Sequence, residues 1–146
     1  MQEALDKAKE EVKRADHLIY VSLKYTRTVD VMKSIIERLV NTFDFCIESL
    51  LIKAKKDKKI TEVPPRPKQR ELEAIKHYDL KDFMEFYELL RKIAKSQCDK
   101  TSEYRRHVTM TSHMDEQKIE ITIDIITDYF NKTKEFVQFT SEIVQQ

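Results

Sequence analysis

The complete absence of glycine is the feature that most limits what this chain can fold into. A glycine-rich phosphate loop, a dinucleotide-binding fingerprint and a nucleophile elbow each need a close backbone approach or a positive φ that a Cβ atom obstructs. None of the 146 residues is glycine, and three are proline. We therefore exclude these three classes of active site.

Charged residues are abundant but almost balanced in sign. The chain has 27 Lys and Arg against 26 Asp and Glu, which leaves a formal net charge of +1. A protein that binds polyanions over its whole surface would carry a larger excess of positive charge. Hydrophobic residues make up 40% of the chain, enough for one domain with a buried core. We therefore expect a single helical domain, residues 1–146, in which any anion-binding surface is local.

The N-terminal sequence and the cysteine content indicate the cellular compartment of the protein. The first residues are charged and lack the apolar core of a secretion signal, and no stretch approaches 18 uninterrupted apolar residues. Cys46 and Cys98 are too few for a disulfide framework, and the four histidines lack zinc-site spacing. We predict a cytoplasmic protein with no membrane segment, no metal and no other cofactor.

Helical periodicity dominates the chain. The strongest pattern follows Thr28, a potential N-cap, where apolar residues recur at three- and four-residue steps on one stripe. Residues 17–25 fit either a continued helix or an extended connector. The segments predicted to be helical are 2–16, 29–55, 70–78, 79–97 and 124–144. The fold class is therefore mainly α, a bundle of four or five helices.

The pattern changes to strict alternation before the last helix. β-Branched and polar residues alternate over 107–113 and again over 118–123, as expected of two strands. Residues 114–117 would form the turn, although they lack the Gly or Asn-Gly that favours a tight hairpin. We predict a small β-hairpin before the C-terminal helix, with a helical conformation of this segment as the alternative.

Positive charge is concentrated in residues 53–70, which contain all three prolines. Eight basic and two acidic residues give this segment a net charge of +6. We interpret it as a basic loop that joins the two halves of the domain, and either as solvated chain or as a contact for a phosphate backbone. The residues predicted to contact RNA or another anionic partner are Lys55, Lys56, Lys58, Lys59, Arg66, Lys68 and Arg70.

Two helices carry apolar residues that widen or leave their main stripe. Phe45 and Ile52 lie seven residues apart on a second face of the helix over 29–55, and Phe139 belongs to a broad arc on the last helix. Either another element of the domain or a partner subunit would cover them. We predict a homodimer with Phe45, Ile52 and Phe139 in its interface, and internal packing as the alternative.

The segment from Glu103 to His113 contains an arginine, a polar residue and a later histidine: Arg106, His107 and His113. With the long second helix, this motif resembles the HEPN superfamily. Residues 16–39, residues 83–94 and the arginine-rich segment before the last helix, which contains the sequence KEFV, are similar to archaeal helical proteins related to the HEPN fold. The resemblance implies a dimeric helical bundle that cuts RNA without metal. It also implies that Arg106, His107 and His113 are catalytic, with Arg106 stabilising the phosphate and His113 acting as general base.

The predicted strand argues against this nuclease site. Arg106 and His113 are seven residues apart, so a strand would direct them to opposite faces, whereas a helix would bring them together. Our leading hypothesis is therefore a non-catalytic, homodimeric interaction module that contacts an anionic partner through its basic loop. The alternatives are a metal-independent HEPN-type ribonuclease and a structural subunit of a larger complex.

Overall fold

A computed structural model describes residues 1–115 and 117–146 of the protein. The described residues form five helices of eleven residues or more, one short helix and three strands. In chain order the elements are α1 Gln2–His17, a π-helical turn Leu18–Ser22, α2 Leu23–Tyr25, α3 Val29–Lys56, α4 Pro67–His77, α5 Lys81–Lys95, β1 Gln97–Thr101, β2 Thr109–Met114, β3 Gln117–Ile121 and α6 Ile123–Val144. The prediction of a mainly helical fold with a small antiparallel β-element before the last helix is confirmed.

Helix α3 lies at the centre of the bundle. It contacts α1, α4, α5 and α6, and its predicted apolar stripe is buried almost completely. The Thr28 hydroxyl accepts a hydrogen bond from the backbone N–H of Val31 at 3.3 Å, so the predicted N-cap is present. Phe43, at the middle of α3, stacks on Phe136 of α6 and on Tyr87 of α5. These aromatic contacts therefore join α3 to α5 and to α6 within the core.

Residues 17–25 continue the first helix and do not form an extended connector. The chain passes from α1 through one π-helical turn into α2, and the helix ends where Thr26 leaves the α region. The β-branched and aromatic residues here are compatible with a helix because Ile19 and Leu23 are buried against the core. No helix among residues 1–115 and 117–146 is both long and apolar enough to cross a membrane.

The basic loop is shorter than the sequence predicts. α3 continues to Lys56 because Lys53 is buried, with its ammonium group 3.3 Å from Asp57 and bonded to the carbonyl of Gln146. α4 begins at Pro67, the first helical position, where a missing N–H costs nothing. The non-helical connection is therefore 57–66 rather than 53–70.

The sheet has three antiparallel strands in the order β1-β2-β3. Met110 pairs with Ile121, and both are buried against the helices. The opposite face is polar, with Asp99, Thr111 and Glu120 in one row across the strands. Because Met114 pairs with Gln117, the connection between β2 and β3 is shorter than the predicted four residues; its second position, Glu116, lies outside the described residues.

The first strand was not predicted. Gln97–Thr101 was assigned in part to the preceding helix, but α5 ends at Lys95. The strand has no apolar alternation, and four of its five residues are exposed. It is held by its pairing with β2 and by the ion pair between Lys100 and Asp30, 3.4 Å apart. Such long-range partners leave no local signal in the sequence.

A pair of carboxyl groups lies between α4 and α5. Glu71 is buried, and Lys68 approaches it and Glu88 at 3.9 and 3.7 Å. Burial, together with the Glu88 carboxyl, raises the pKa of Glu71 to about 7, and the hydrogen bond from Glu71 lowers the pKa of Glu88. Below about pH 7 Glu71 is therefore mostly protonated, and its carboxyl O–H can donate a hydrogen bond to the Glu88 carboxylate.

We expect Glu71→Gln to change how stability depends on pH. Because the pKa of Glu71 is higher in the folded chain than its ordinary value of 4.5, its contribution is complete at low pH and is lost as the pH rises through about 7. Between about pH 5 and about pH 8, the wild type should lose about 1–3 kcal/mol of unfolding free energy that the variant keeps.

Urea unfolding followed by circular dichroism at each pH measures this difference. Glu85→Gln on the exposed side of α5 is the matched control, because it removes one carboxylate from solvent and should retain the wild-type profile. If the unfolding free energies of the wild type and Glu71→Gln depended on pH in the same way, this would contradict the raised pKa of Glu71.

Candidate nucleic-acid interface

Two segments that are distant in sequence meet at the N-terminal end of α3. The backbone N–H of Tyr104 donates to the carbonyl of Arg27 at 2.6 Å, and the N–H of Val29 donates to Oε1 of Glu103 at 3.0 Å. These bonds fix the loop between β1 and β2 beside the residues that precede α3. The two segments form what we call the cationic tyrosine surface, defined by Lys24, Tyr25, Arg27, Tyr104, Arg105, Arg106 and His107.

The two tyrosines of this surface are exposed to an unusual degree. Tyr25 is 80% and Tyr104 is 72% exposed, more than the other large hydrophobic side chains that the structure leaves at the surface. Neither ring is needed to fill the core, and Lys24, Arg105 and Arg106 next to them in sequence are exposed as well. Exposed rings interleaved with cations are typical of proteins on which nucleic-acid bases stack.

The backbone around Tyr104 is strained. Ser102 and Tyr104 have φ angles of 57° and 64°, in the left-handed region that glycine tolerates best. A residue with a Cβ pays roughly 1–2 kcal/mol for this conformation. The bond to Arg27 and a second one from the N–H of Arg105 to the carbonyl of Ser102 hold it in place. The chain therefore keeps a strained tyrosine where a glycine would be more stable, which is common at functional sites.

A groove of about 480 Å³ is lined by three residues of the cationic tyrosine surface, Arg27, Arg106 and His107, but not by the two tyrosines. Arg27 and Arg106 provide its positive charge, Asp124 at the start of α6 provides one carboxylate, and His107 lines it as well. The remaining lining residues are Thr109, Thr122 and Ile123. The Nε atom of Arg27 is buried and has no hydrogen-bond partner among the described residues. The guanidinium groups of Arg27 and Arg106 are therefore the charged donors that line the groove.

The structure brings together only part of the predicted catalytic set. Arg106 and His107 share the groove, whereas His113 is not among the described residues that line it. His113 lies on the polar face of the sheet, with Nε2 at 2.6 Å from Oδ2 of Asp99. The strand begins at Thr109, so the argument from strand parity does not apply to Arg106.

Some of the predicted contact residues of the basic loop already have partners within the protein. Lys68 lies near Glu71 and Glu88, and Nε of Arg70 donates to the carbonyl of Pro64 at 2.6 Å. The remaining five predicted residues are exposed: Lys55, Lys56, Lys58, Lys59 and Arg66. They cluster at the C-terminal end of α3, the end opposite to the cationic tyrosine surface.

The predicted interface residues are half-buried within the domain itself. Lys7 of α1 lies over the ring of Phe45, 5.9 Å from its centroid, and Phe139 packs on Phe83 at 5.4 Å. Ile52 is half-buried as well. Internal packing therefore accounts for the second apolar face at Phe45 and Phe139, and the homodimer stays a prediction.

Comparison with known proteins gives no further assignment. No protein-family model, no curated protein and no solved structure matches this chain. The HEPN-like assignment therefore stays a prediction, and the site is interpreted from its own geometry. Sequence reasoning missed Tyr25 and Tyr104 because each stands alone between charged residues, with no periodic pattern to connect them.

We expect Tyr104→Gly to be more stable than Tyr104→Ala by about 1 kcal/mol, because glycine relieves the left-handed backbone. The alanine variant is the control for loss of the exposed ring, a loss that should change the unfolding free energy only a little. Thermal and urea unfolding of both variants measure the difference. A glycine variant less stable than the alanine variant would show that the backbone here is not strained.

Proposed function

We propose that the protein is a non-catalytic interaction module that binds single-stranded nucleic acid at its cationic tyrosine surface. The observation that carries this proposal is the backbone bond between Tyr104 and Arg27, which places two exposed tyrosines and several cations in one region. Phosphates are attracted by the arginine and lysine side chains, and unpaired bases stack on the rings.

Exposed rings favour an unpaired strand over a duplex. A base within a duplex is already stacked on its neighbours, so a protein ring can reach its face only at a loop, a bulge or an end. A ring such as Tyr104, 72% exposed beside Arg105 and Arg106, is available to a base that is free of a partner strand. The small net charge of +1 suits binding at one local surface rather than wrapping of the nucleic acid around the protein.

The basic loop makes a different contribution. The two cationic regions lie at opposite ends of the 28-residue helix α3, about 40 Å apart at the usual rise per residue. Near the loop, the ring of Tyr78 is covered by Lys59, whose Nζ lies 5.2 Å from its centroid. We propose that the loop attracts the backbone of a longer anionic partner but does not stack bases.

We expect Tyr25→Ala and Tyr104→Ala each to weaken binding of a labelled oligouridine of about eight nucleotides by about tenfold, because a stacked base contributes about 1–3 kcal/mol. Tyr25→Phe and Tyr104→Phe keep the rings and should bind like the wild type. Fluorescence anisotropy measures the affinities, with the equivalent DNA strand and an RNA duplex as comparisons.

Charge variants in the same assay test the electrostatic part. Arg105→Gln should reduce the slope of log affinity against log salt concentration by about 0.7. Lys9→Gln, on the exposed face of α1, should leave this slope unchanged. Joint replacement of Lys58, Lys59 and Arg66 by glutamine should not affect an octamer bound at the other end of α3. Alanine variants of the tyrosines that bind as tightly as the wild type would refute the proposal.

A second candidate function is the metal-independent ribonuclease that the HEPN resemblance implies. It is favoured by one observation, that Arg106 and His107 line the same groove, where a guanidinium and an imidazole would reach one phosphate. On this hypothesis His107 is the general base, because His113 lies outside the groove.

The ribonuclease hypothesis predicts that labelled RNA is cleaved in EDTA by the wild type and by His113→Ala but not by His107→Ala. Gel electrophoresis of the products measures cleavage. Equal cleavage by all three proteins would indicate a contaminating nuclease, and intact RNA throughout would leave the binding module as the function.

A further inference from the structure

We infer that a pocket between α1 and α3 binds a small organic oxyanion, a carboxylate or phosphate group that carries an apolar chain. The pocket shares no residue with the cationic tyrosine surface, and the inference does not rest on the proposed function. It follows from two arginines held by one buried carboxylate, from the donors that these arginines leave free, and from the apolar wall beside them.

The pocket has a volume of about 340 Å³ and lies where the second half of α1 packs against α3. Residues four apart lie on the same face of a helix, which brings Lys13 beside His17. Arg14 lies beside Leu18 for the same reason, and Arg38 lines the pocket from α3. The volume is within the range of pockets that enclose small ligands, about 300–1,000 Å³.

The buried carboxylate of Glu11 fixes the positions of both arginines. It accepts a hydrogen bond from Nη1 of Arg14 at 3.2 Å, and bonds from Nη1 of Arg38 at 3.2 and 3.3 Å. Glu11 is buried where the two helices meet, so the bonds are shielded from water. One negative charge therefore holds two guanidinium groups close together at the same pocket.

The positive charge at the pocket exceeds the negative charge. The side chains of Lys13, Arg14 and Arg38 are positive, and only Glu11 behind them is negative. Glu10 lies 4.0 Å from Lys13, but both side chains are exposed and such a pair contributes little. No carboxylate among the described residues lines the pocket itself. A bound anion would therefore compensate charge that the protein leaves unbalanced.

Each arginine keeps a pair of adjacent donors free. Only Nη1 of either guanidinium group bonds to Glu11, and the described residues offer no acceptor to Nε and Nη2. The side chains of Arg14 and Arg38 are 57% and 38% exposed, so a ligand can reach them. Nε and Nη2 form a planar fork that matches two oxygens of one carboxylate or phosphate. The free donors therefore suit an oxyanion better than a spherical ion.

The wall of the pocket is mostly apolar although most of its residues are basic. Its carbon atoms come from half-buried Leu18 and from the aliphatic stems of the basic side chains, whose charged ends reach solvent. An inorganic anion would leave this wall exposed to water. A ligand with a short apolar chain would cover it, and the burial of its methylene groups would add to the affinity.

Titration with four small molecules tests the inference on the whole protein. Hexanoate, hexyl phosphate, acetate and hexanol are added in a buffer without other oxyanions, and the amide chemical shifts in NMR spectra measure each affinity. We expect hexanoate and hexyl phosphate to bind about tenfold more tightly than hexanol, as for hydrogen bonds between charged groups. Hexanoate should bind about tenfold more tightly than acetate, because its longer chain contacts the apolar wall.

The two anions with the same chain distinguish the source of the natural ligand. Tighter binding of hexyl phosphate than of hexanoate would assign it to the phosphate esters, and the reverse order would assign it to the carboxylic acids. In both cases the shift changes should be largest in α1 and in α3 around Arg38.

Four variants locate the binding. Arg14→Gln and Arg38→Gln should each weaken both hexyl anions about tenfold and leave hexanol unchanged. Leu18→Ala should weaken hexanoate but not acetate. Lys9→Gln removes a positive charge from the exposed face of α1 outside the pocket, and should bind all four molecules like the wild type. Circular dichroism checks folding. Arg14→Gln leaves Arg38 paired with the buried carboxylate, so it decides the question even if Arg38→Gln is unstable.

Three results would overturn the inference. Hexanol that binds as tightly as hexanoate would show an apolar pocket without an anion site. Equal affinities of the wild type and Arg14→Gln for hexanoate would place the anion elsewhere. No shift change with either hexyl anion at about 10 mM would exclude binding even in the millimolar range. None of these results bears on oligouridine binding at the cationic tyrosine surface, which has its own test.

Discussion

The burial of the apolar stripe of α3 is the constraint on which the rest of the fold depends. A 28-residue helix whose apolar stripe is buried must be covered by several partners, and α1, α4, α5 and α6 share that task. Its two ends are left without such cover. At both ends of α3 the chain turns and basic residues are clustered. Residues with a left-handed backbone, such as Lys58 and Tyr104, lie there as well.

The features that the sequence predicted correctly are those with local causes. The helix over 29–55, its Thr28 cap and the alternation in β2 all arise from neighbours within a few residues. The start of α4 differs from the predicted position by three residues, and α3 extends only one residue further than expected. Propensity and periodicity therefore suffice for most of this bundle.

The features that were missed depend on partners distant in the chain. β1 is a strand because β2 lies beside it, and Lys53 is buried because the C-terminus folds back onto it. The same reason explains why the candidate site was found only in part. Arg106 and His107 stood out as a motif, but Arg27 joins them only through its bond to Tyr104. A contact made by a single residue leaves no periodic pattern in the sequence from which it could be predicted.

The absence of glycine excludes fewer backbone conformations than it first suggests. It excludes the glycine-dependent phosphate loops, but within residues 1–115 and 117–146 four residues with a Cβ atom, among them Ser102 and Tyr104, have positive φ angles. At Tyr104, backbone hydrogen bonds to Arg27 and from Arg105 to Ser102 hold the chain in this conformation. Hydrogen bonds rather than glycine therefore set the backbone of the loop before β2.

The polar outer face of the sheet has a practical consequence. Thr111 is at its centre, with Asp99 on one side and Glu120 on the other, and the apolar side chains all point the other way. A spectroscopic reporter attached at this position would leave the core undisturbed. Because Thr109, two residues earlier on β2, lines the groove, such a reporter would lie close enough to register its occupancy.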